Sequence, residues 1–152
     1  MRRQDREIQD RAQIDQIIDA AVVCRLGLCK DGIPYVVPIS FGYDGQHIYF
    51  HGAAEGTKVD YMTANPRVCV EFEADVRLAA DERSACGWSV SYRSVIGHGV
   101  VEEIADPDAK RHALNQIMKH YSGREGWTFD AGQLTRTRTW SIAIEAITGK
   151  HS

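Results

Sequence analysis

The sequence predicts a mainly β protein: a single domain in which six antiparallel strands form a closed or nearly closed barrel flanked by three helices. Two observations predict it. Six segments are β-prone, and most connections between them are too short for the crossover helices that parallel strands require. Asp-Gly pairs at Asp31-Gly32 and Asp44-Gly45 mark tight turns between successive runs. Closure would remove the exposed edges of such a sheet, and 152 residues is a natural length for one domain.

The elements follow in order. Ile14, Ile17, Ile18 and Ala21 recur at helical spacing after a candidate cap at Asp10, which predicts an amphipathic N-terminal helix. From Val22 the period changes. Residues 22–28 and 35–41 read as a hairpin, and 47–51 as a third strand after the turn at residues 43–45. Pro38 sits inside an otherwise good strand, which marks an edge, a bulge or an opening of the sheet. Residues 57–64 read as a short helix stopped by Asn65-Pro66, and 67–73 alternate as a strand. The polar stretch 75–87 reads as a loop, and residues 88–103 as a strand bent at Gly97 and Gly99. Asp106-Pro107 caps a helix whose stripe Leu114, Ile117, Met118 and Tyr121 belongs to the core, ending near Gly123. A glycine-containing loop then leads to the last strand, 140–147.

Composition excludes several classes. With 43% apolar and 26% charged residues the chain is neither disordered nor fibrous. A net charge of −3 without a basic stripe argues against nucleic-acid binding. Cys24, Cys29, Cys69 and Cys86 lack zinc spacing and read as small buried hydrophobes in a reducing compartment. The longest apolar run, residues 20–24, is far shorter than a membrane span, and residues 1–7 lack the apolar stretch of a signal peptide. A cytoplasmic protein is expected.

Chemistry is best sought where the third strand ends, in His51-Gly52-Ala53-Ala54-Glu55-Gly56-Thr57-Lys58. Small residues let a ligand approach the backbone, a helix start offers free N–H groups, and Lys58 adds a full positive charge. Together these predict an anion site. It is not a nucleotide P-loop, because the spacing is wrong, the Lys-Ser/Thr order is reversed and no parallel strand-loop-helix unit surrounds it.

These segments, taken with residues 1–8, Cys24-Arg25-Leu26, Pro34 to Tyr43, Tyr92 to Gly99 and Ile147-Thr148-Gly149-Lys150, resemble the nitroimidazole-resistance-related flavoproteins. That group is part of the pyridoxamine 5′-phosphate oxidase-like proteins with an FMN-binding split barrel. The resemblance implies a homodimer with FMN in the cleft between two barrels. Val37, Pro38, Ile39 and Ser40 would flank the isoalloxazine ring, and the sheet would split at Pro38 to admit it. His51, Gly52 and Ala53 would line the flavin, and Thr57 and Lys58 would bind its phosphate. Ser94 and Arg93 would approach the phosphate or ribityl chain, and Trp140 would reach the flavin of the other subunit. Two departures stand out: Ser141 follows the tryptophan where many relatives carry a basic residue, and His98 falls where an aromatic or apolar residue is common.

Two functional classes follow. One is an FMN-dependent oxidoreductase passing electrons from a reduced nicotinamide to a small acceptor such as a nitroaromatic, with His51 as the ionisable catalytic group. The other is a flavin- or haem-binding module without turnover.

Overall fold

Asp10 accepts a hydrogen bond from the Ala12 amide and starts helix α1 (Arg11–Ala20), which buries Ile14, Ile17 and Ile18. The computed structural model describes residues 3–152, so Met1 and Arg2 of the N-terminal resemblance lie outside the described residues. Among the described residues, eight strands share one antiparallel sheet: β1 (Glu7–Ile8), β2 (Cys24–Lys30), β3 (Ile33–Ile39), β4 (Gly42–Tyr43), β5 (His47–Gly52), β6 (Arg67–Ala79), β7 (Ser89–Glu103) and β8 (Arg138–His151). The remaining helices are α2 (Thr57–Ala64), α3 (Pro107–Ser122) and α4 (Ala131–Arg136).

The strands are ordered β3-β2-β6-β7-β8-β5-β4, and β1 joins the far end of β8. The expected count was six. The two additional strands are two-residue pairings, too short to leave a periodic signal. The ends of the path, β3 and β4, are joined covalently through Ser40-Phe41.

Residues alternate between the faces of β5 and β8 and so divide the core in two. On one face Ile48, Phe50, Trp140 and Ile142 join Leu26, Phe41, Val70, Phe72 and Val95, closed by α1. On the other face Tyr49 packs with Ala113, Leu114 and Ile117 of α3 and Leu134 of α4.

Several boundaries differ from expectation. The predicted loop 75–87 is largely strand, with β6 running to Ala79 and β7 starting at Ser89. This part of the hairpin lies beyond a register shift at Ala74/Arg77; Asp75-Val76-Arg77-Leu78 does alternate, but the charged residues 81–83 that follow give the stretch a polar average, and Val76 and Leu78 stand exposed rather than in the core. Strand β8 likewise outruns its apolar stretch, because Thr148, Gly149 and Lys150 are held by pairing to β7. Helix α4 lies within the predicted glycine-containing loop; its capping box, in which Asp130 and Gln133 bond each other's backbone, was its sequence signal.

Tyr121 is not a core residue. It is 44% exposed, and its hydroxyl donates to the Val22 carbonyl at 2.9 Å and accepts from the Phe41 amide at 3.1 Å. The cysteines divide as well: Cys24 is buried, Cys29 and Cys69 are half-buried, and Cys86 is exposed. Among the described residues no helix is long and apolar enough to cross a membrane, and no cluster of side chains could hold a metal ion.

Candidate functional site

Strand β5 ends at Gly52, and the chain turns through Ala53 to Gly56 into α2. Gly56 occupies the N-cap at φ 122°, a conformation that favours glycine, and no side chain caps the helix. The first-turn N–H groups are therefore left without a side-chain acceptor. Lys58 folds back over the end of the sheet, its Nζ 5.5 Å from the centre of the Phe50 ring and 6.0 Å from that of Trp140. It can do so because residue 52 has no side chain: a Cβ there would lie 3.0 Å from Lys58 Nζ and 3.3 Å from the Trp140 ring. Partial burial holds the ammonium below its usual pKa, and among the described residues no carboxylate pairs with it. A cation so placed gains from an incoming anion.

Arg138 is the residue that sequence reasoning missed. It lies directly across from Gly52, its Nε donates to Glu103 Oε1 at 2.8 Å, Nη1 donates to the Ala54 carbonyl, and the guanidinium sits 5.3 Å from the Trp140 ring centre. The signal was available in the spacing. The basic residue precedes the tryptophan by two positions, on the same face of the strand, rather than following it at Ser141, which pairs across from Tyr49.

The other expected residues divide. Ser40 and His51 each lie two residues beyond the paired Gly42 and Tyr49, at the place where β4–β5 pairing stops. The sheet therefore parts beside His51, but not at Pro38: pairing to β2 continues through Pro38 to Ile39. Pro38 and Pro34 stand on the outer strand β3, and the interruption falls at Ser40-Phe41, where the Phe41 amide bonds Tyr121 instead of a strand. Val37 is half-buried, Ile39 is buried, and Pro38 and Ser40 are exposed. Ala53 and Thr57 are exposed at the anion corner.

His51 lies one residue before Gly52 and so faces the opposite side of the sheet, where it lines a cavity between α3 and α4. Partial desolvation, then the charge of Lys58, holds its imidazole below its ordinary pKa. Trp140, 4% exposed and stacked on Phe50 at 5.4 Å, lies inside its own chain rather than presented to a neighbouring subunit. It forms the floor under the two cations.

Arg93 and Ser94 are not at this corner. They pair with the far end of β8, ten residues along β7 from Glu103, about 30 Å away for an extended strand. Arg93 is bonded through Nε to Asp75 at 2.6 Å.

Residues 10–151 match the pyridoxamine 5′-phosphate oxidase family, and the chain belongs to it. A structure from Bacteroides thetaiotaomicron assigned to 5-nitroimidazole antibiotic resistance is similar at 33% identity and TM-score 0.84, over 95% of this chain and 86% of that one. An FAD- and haem-binding protein from Mycobacterium smegmatis is similar at 26% identity and TM-score 0.82, over 97% and 73% of the two chains. An FAD-binding protein from Mesorhizobium loti shares 27% identity over 97% of both chains, with a TM-score of 0.70. An uncharacterized protein of Rhizobium meliloti is 31% identical over 64 residues, 42% of each chain.

Proposed function

We propose that the protein binds FMN as a homodimeric split barrel and acts as an oxidoreductase, passing electrons from a reduced nicotinamide to a small acceptor such as a nitroaromatic. The observation that carries this reading is the single corner where Gly52 makes room for Lys58 beside Arg138 and the open start of α2. One monophosphate fits such a corner. The absence of a second phosphate motif in the sequence favours FMN over FAD. Bound flavin would supply the hydride and electron chemistry.

The residues have separate tasks in this reading. Lys58, Thr57 and Arg138 hold the phosphate, while Gly52 and Ala53 let it approach. Val37 to Ser40 flank the ring where the strands part, and His51 orients the acceptor or gives it a proton. Arg93 and Ser94, remote within one chain, join the site only from a second copy.

An uncovered sheet face supports the dimer. Pairing aligns Val36, Gly27, Cys69, His98 and Ala146 in one row across five strands, and Val36 and Ile96 on that face are 64% and 42% exposed. A shallow concavity of about 380 Å³ lies along it, lined by Pro34, Val36, Cys29, Cys69 and His98 among others.

Two similar structures are FAD-binding, one of them also haem-binding. They favour a second reading, a flavin- or haem-binding module without turnover. The absorption spectrum and mass spectrum of cofactor released from the purified protein decide the cofactor: FMN is expected, and FAD or haem alone overturns it. Reduced-nicotinamide oxidation with a panel of acceptors decides turnover. No rate above free FMN with any acceptor leaves the binding module.

A further inference from the structure

A second site lies on the opposite face of the sheet from Lys58. Between α3, α4 and the end of β5 is a half-enclosed cavity of about 250 Å³. Leu114, Ile117, Met118 and Phe129 form its apolar wall, and His51, Gln133 and Thr137 supply the polar groups. None of the lining residues carries a fixed charge.

The polar groups are held ready for a ligand. Gln133 Oε1 accepts from the Asp130 amide at 2.9 Å in the capping box, which fixes the side-chain amide and leaves Nε2 as its donor end. Among the described residues the His51 ring makes no hydrogen bond, and its partial desolvation lowers its pKa. A further polar group lies on the same face of the sheet, outside the residues that line the cavity. Thr139 lies directly across from His51 on β8, with its side chain on the same face, and is fully buried. Its Oγ1 has no hydrogen-bond partner among the described residues. Buried polar atoms are rarely left so.

We propose that this cavity binds a small, uncharged, monocyclic aromatic molecule with one polar substituent, its ring against Met118 and Phe129 and its substituent toward His51. Size sets the class, since dry cavities of roughly 150 Å³ lined by such side chains take up benzene. Charge narrows it further. An anion would be desolvated against the apolar wall, with no fixed charge among the lining residues to meet it. The site rests on the reading above in which His51 meets the acceptor and supplies that acceptor's pocket; its test needs no turnover, so it can fail while flavin binding and electron transfer stand.

Phenol is the probe, titrated into the protein as purified at pH 7.5 and followed by methyl NMR, with benzoate as the charged control. Saturable shifts centred on the methyls of Met118, Leu114 and Ile117 are expected, with a Kd on the order of millimolar. Benzoate should bind at least tenfold more weakly. Met118→Trp, which fills the cavity, should weaken phenol binding at least tenfold while the circular dichroism spectrum is retained. If that variant does not fold, the map of shifts in the unaltered protein decides alone. Absence of saturable shifts, shifts centred elsewhere, or equal binding of benzoate overturns the assignment.

Discussion

Lys58 owes its position to what Gly52 lacks, and the consequence is measurable by comparing two ligands that differ in one group. FMN carries a phosphate and riboflavin does not. Lys58→Ala removes a partly buried charged hydrogen bond, so FMN should bind about tenfold to a hundredfold more weakly, while riboflavin binding stays within about twofold. Fluorescence quenching titrations of both ligands measure this; an equal loss for the two would mean that the lysine shapes the fold rather than the phosphate site. His51 predicts a different pattern. Its ring titrates below the ordinary 6.5 in the folded chain. Between that lowered value and 6.5 the unfolded chain holds more protons than the folded one, so stability rises with pH across the window and falls on acidification through it. In urea denaturation at several pH values, His51→Gln should flatten that slope. If His51 also serves the acceptor, His51→Ala should keep its flavin and lose about tenfold to a thousandfold in kcat/KM. Loss of flavin would make the histidine a cofactor ligand, and unchanged rates would make it structural.

At the scale of elements, the junction between β3 and β4 shows what periodicity can and cannot reveal. The Phe41 amide is buried, leaves the strand ladder and donates to Tyr121 from α3, whose hydroxyl also donates to Val22 beyond α1. One phenol thus ties the parting of the sheet to two helical segments. Tyr121→Phe leaves a buried N–H without its acceptor and should cost about 1 to 2 kcal/mol, or roughly 3 to 6 °C in Tm. Thermal denaturation followed by circular dichroism checks it, and an unchanged Tm would show that the junction is held by strand ends alone. Sequence spacing placed Tyr121 in the apolar stripe of α3 because a tyrosine at i+7 from Leu114 fits the pattern whether its ring is buried or only its hydroxyl is used. The central strands and three helices were legible because one face of each is apolar. The two-residue strands and α4 were not, since shortness erases the period on which such reading depends, and the end of the β6–β7 hairpin was not because its short alternation, Asp75-Val76-Arg77-Leu78, runs into the charged residues 81–83. At the site, Lys58 and Gly52 were legible as a local motif in one loop. Arg138 and the remoteness of Arg93 depend on register between strands far apart in sequence, which no local pattern encodes.

For the whole molecule, the question is what covers the outer face of β3, β2, β6 and β7. Helices cover the other side of β5 and β8, whereas on this face Val36 and Ile96 stand largely free, with the ion pairs from Arg25 to Glu71 and Glu73 beside them at 3.1 and 2.6 Å. A second copy related by a two-fold axis would set the same row against itself. A flavin held by one Lys58 corner and roofed by the other copy would then link assembly to cofactor binding, since a ligand bound only by the dimer stabilises the dimer by mass action. Sedimentation should give about twice 17.0 kDa. Val36→Arg would place like charges against each other across the axis, and Ile96→Lys would do the same one row away. Either variant should sediment as a monomer at micromolar concentration and carry markedly less flavin, with a far-UV spectrum like that of the parent. A monomer that keeps its flavin would confine the whole site to one chain, and with it Arg93 and Ser94 would leave the site altogether, because within one chain they lie at the far end of β7 from Lys58.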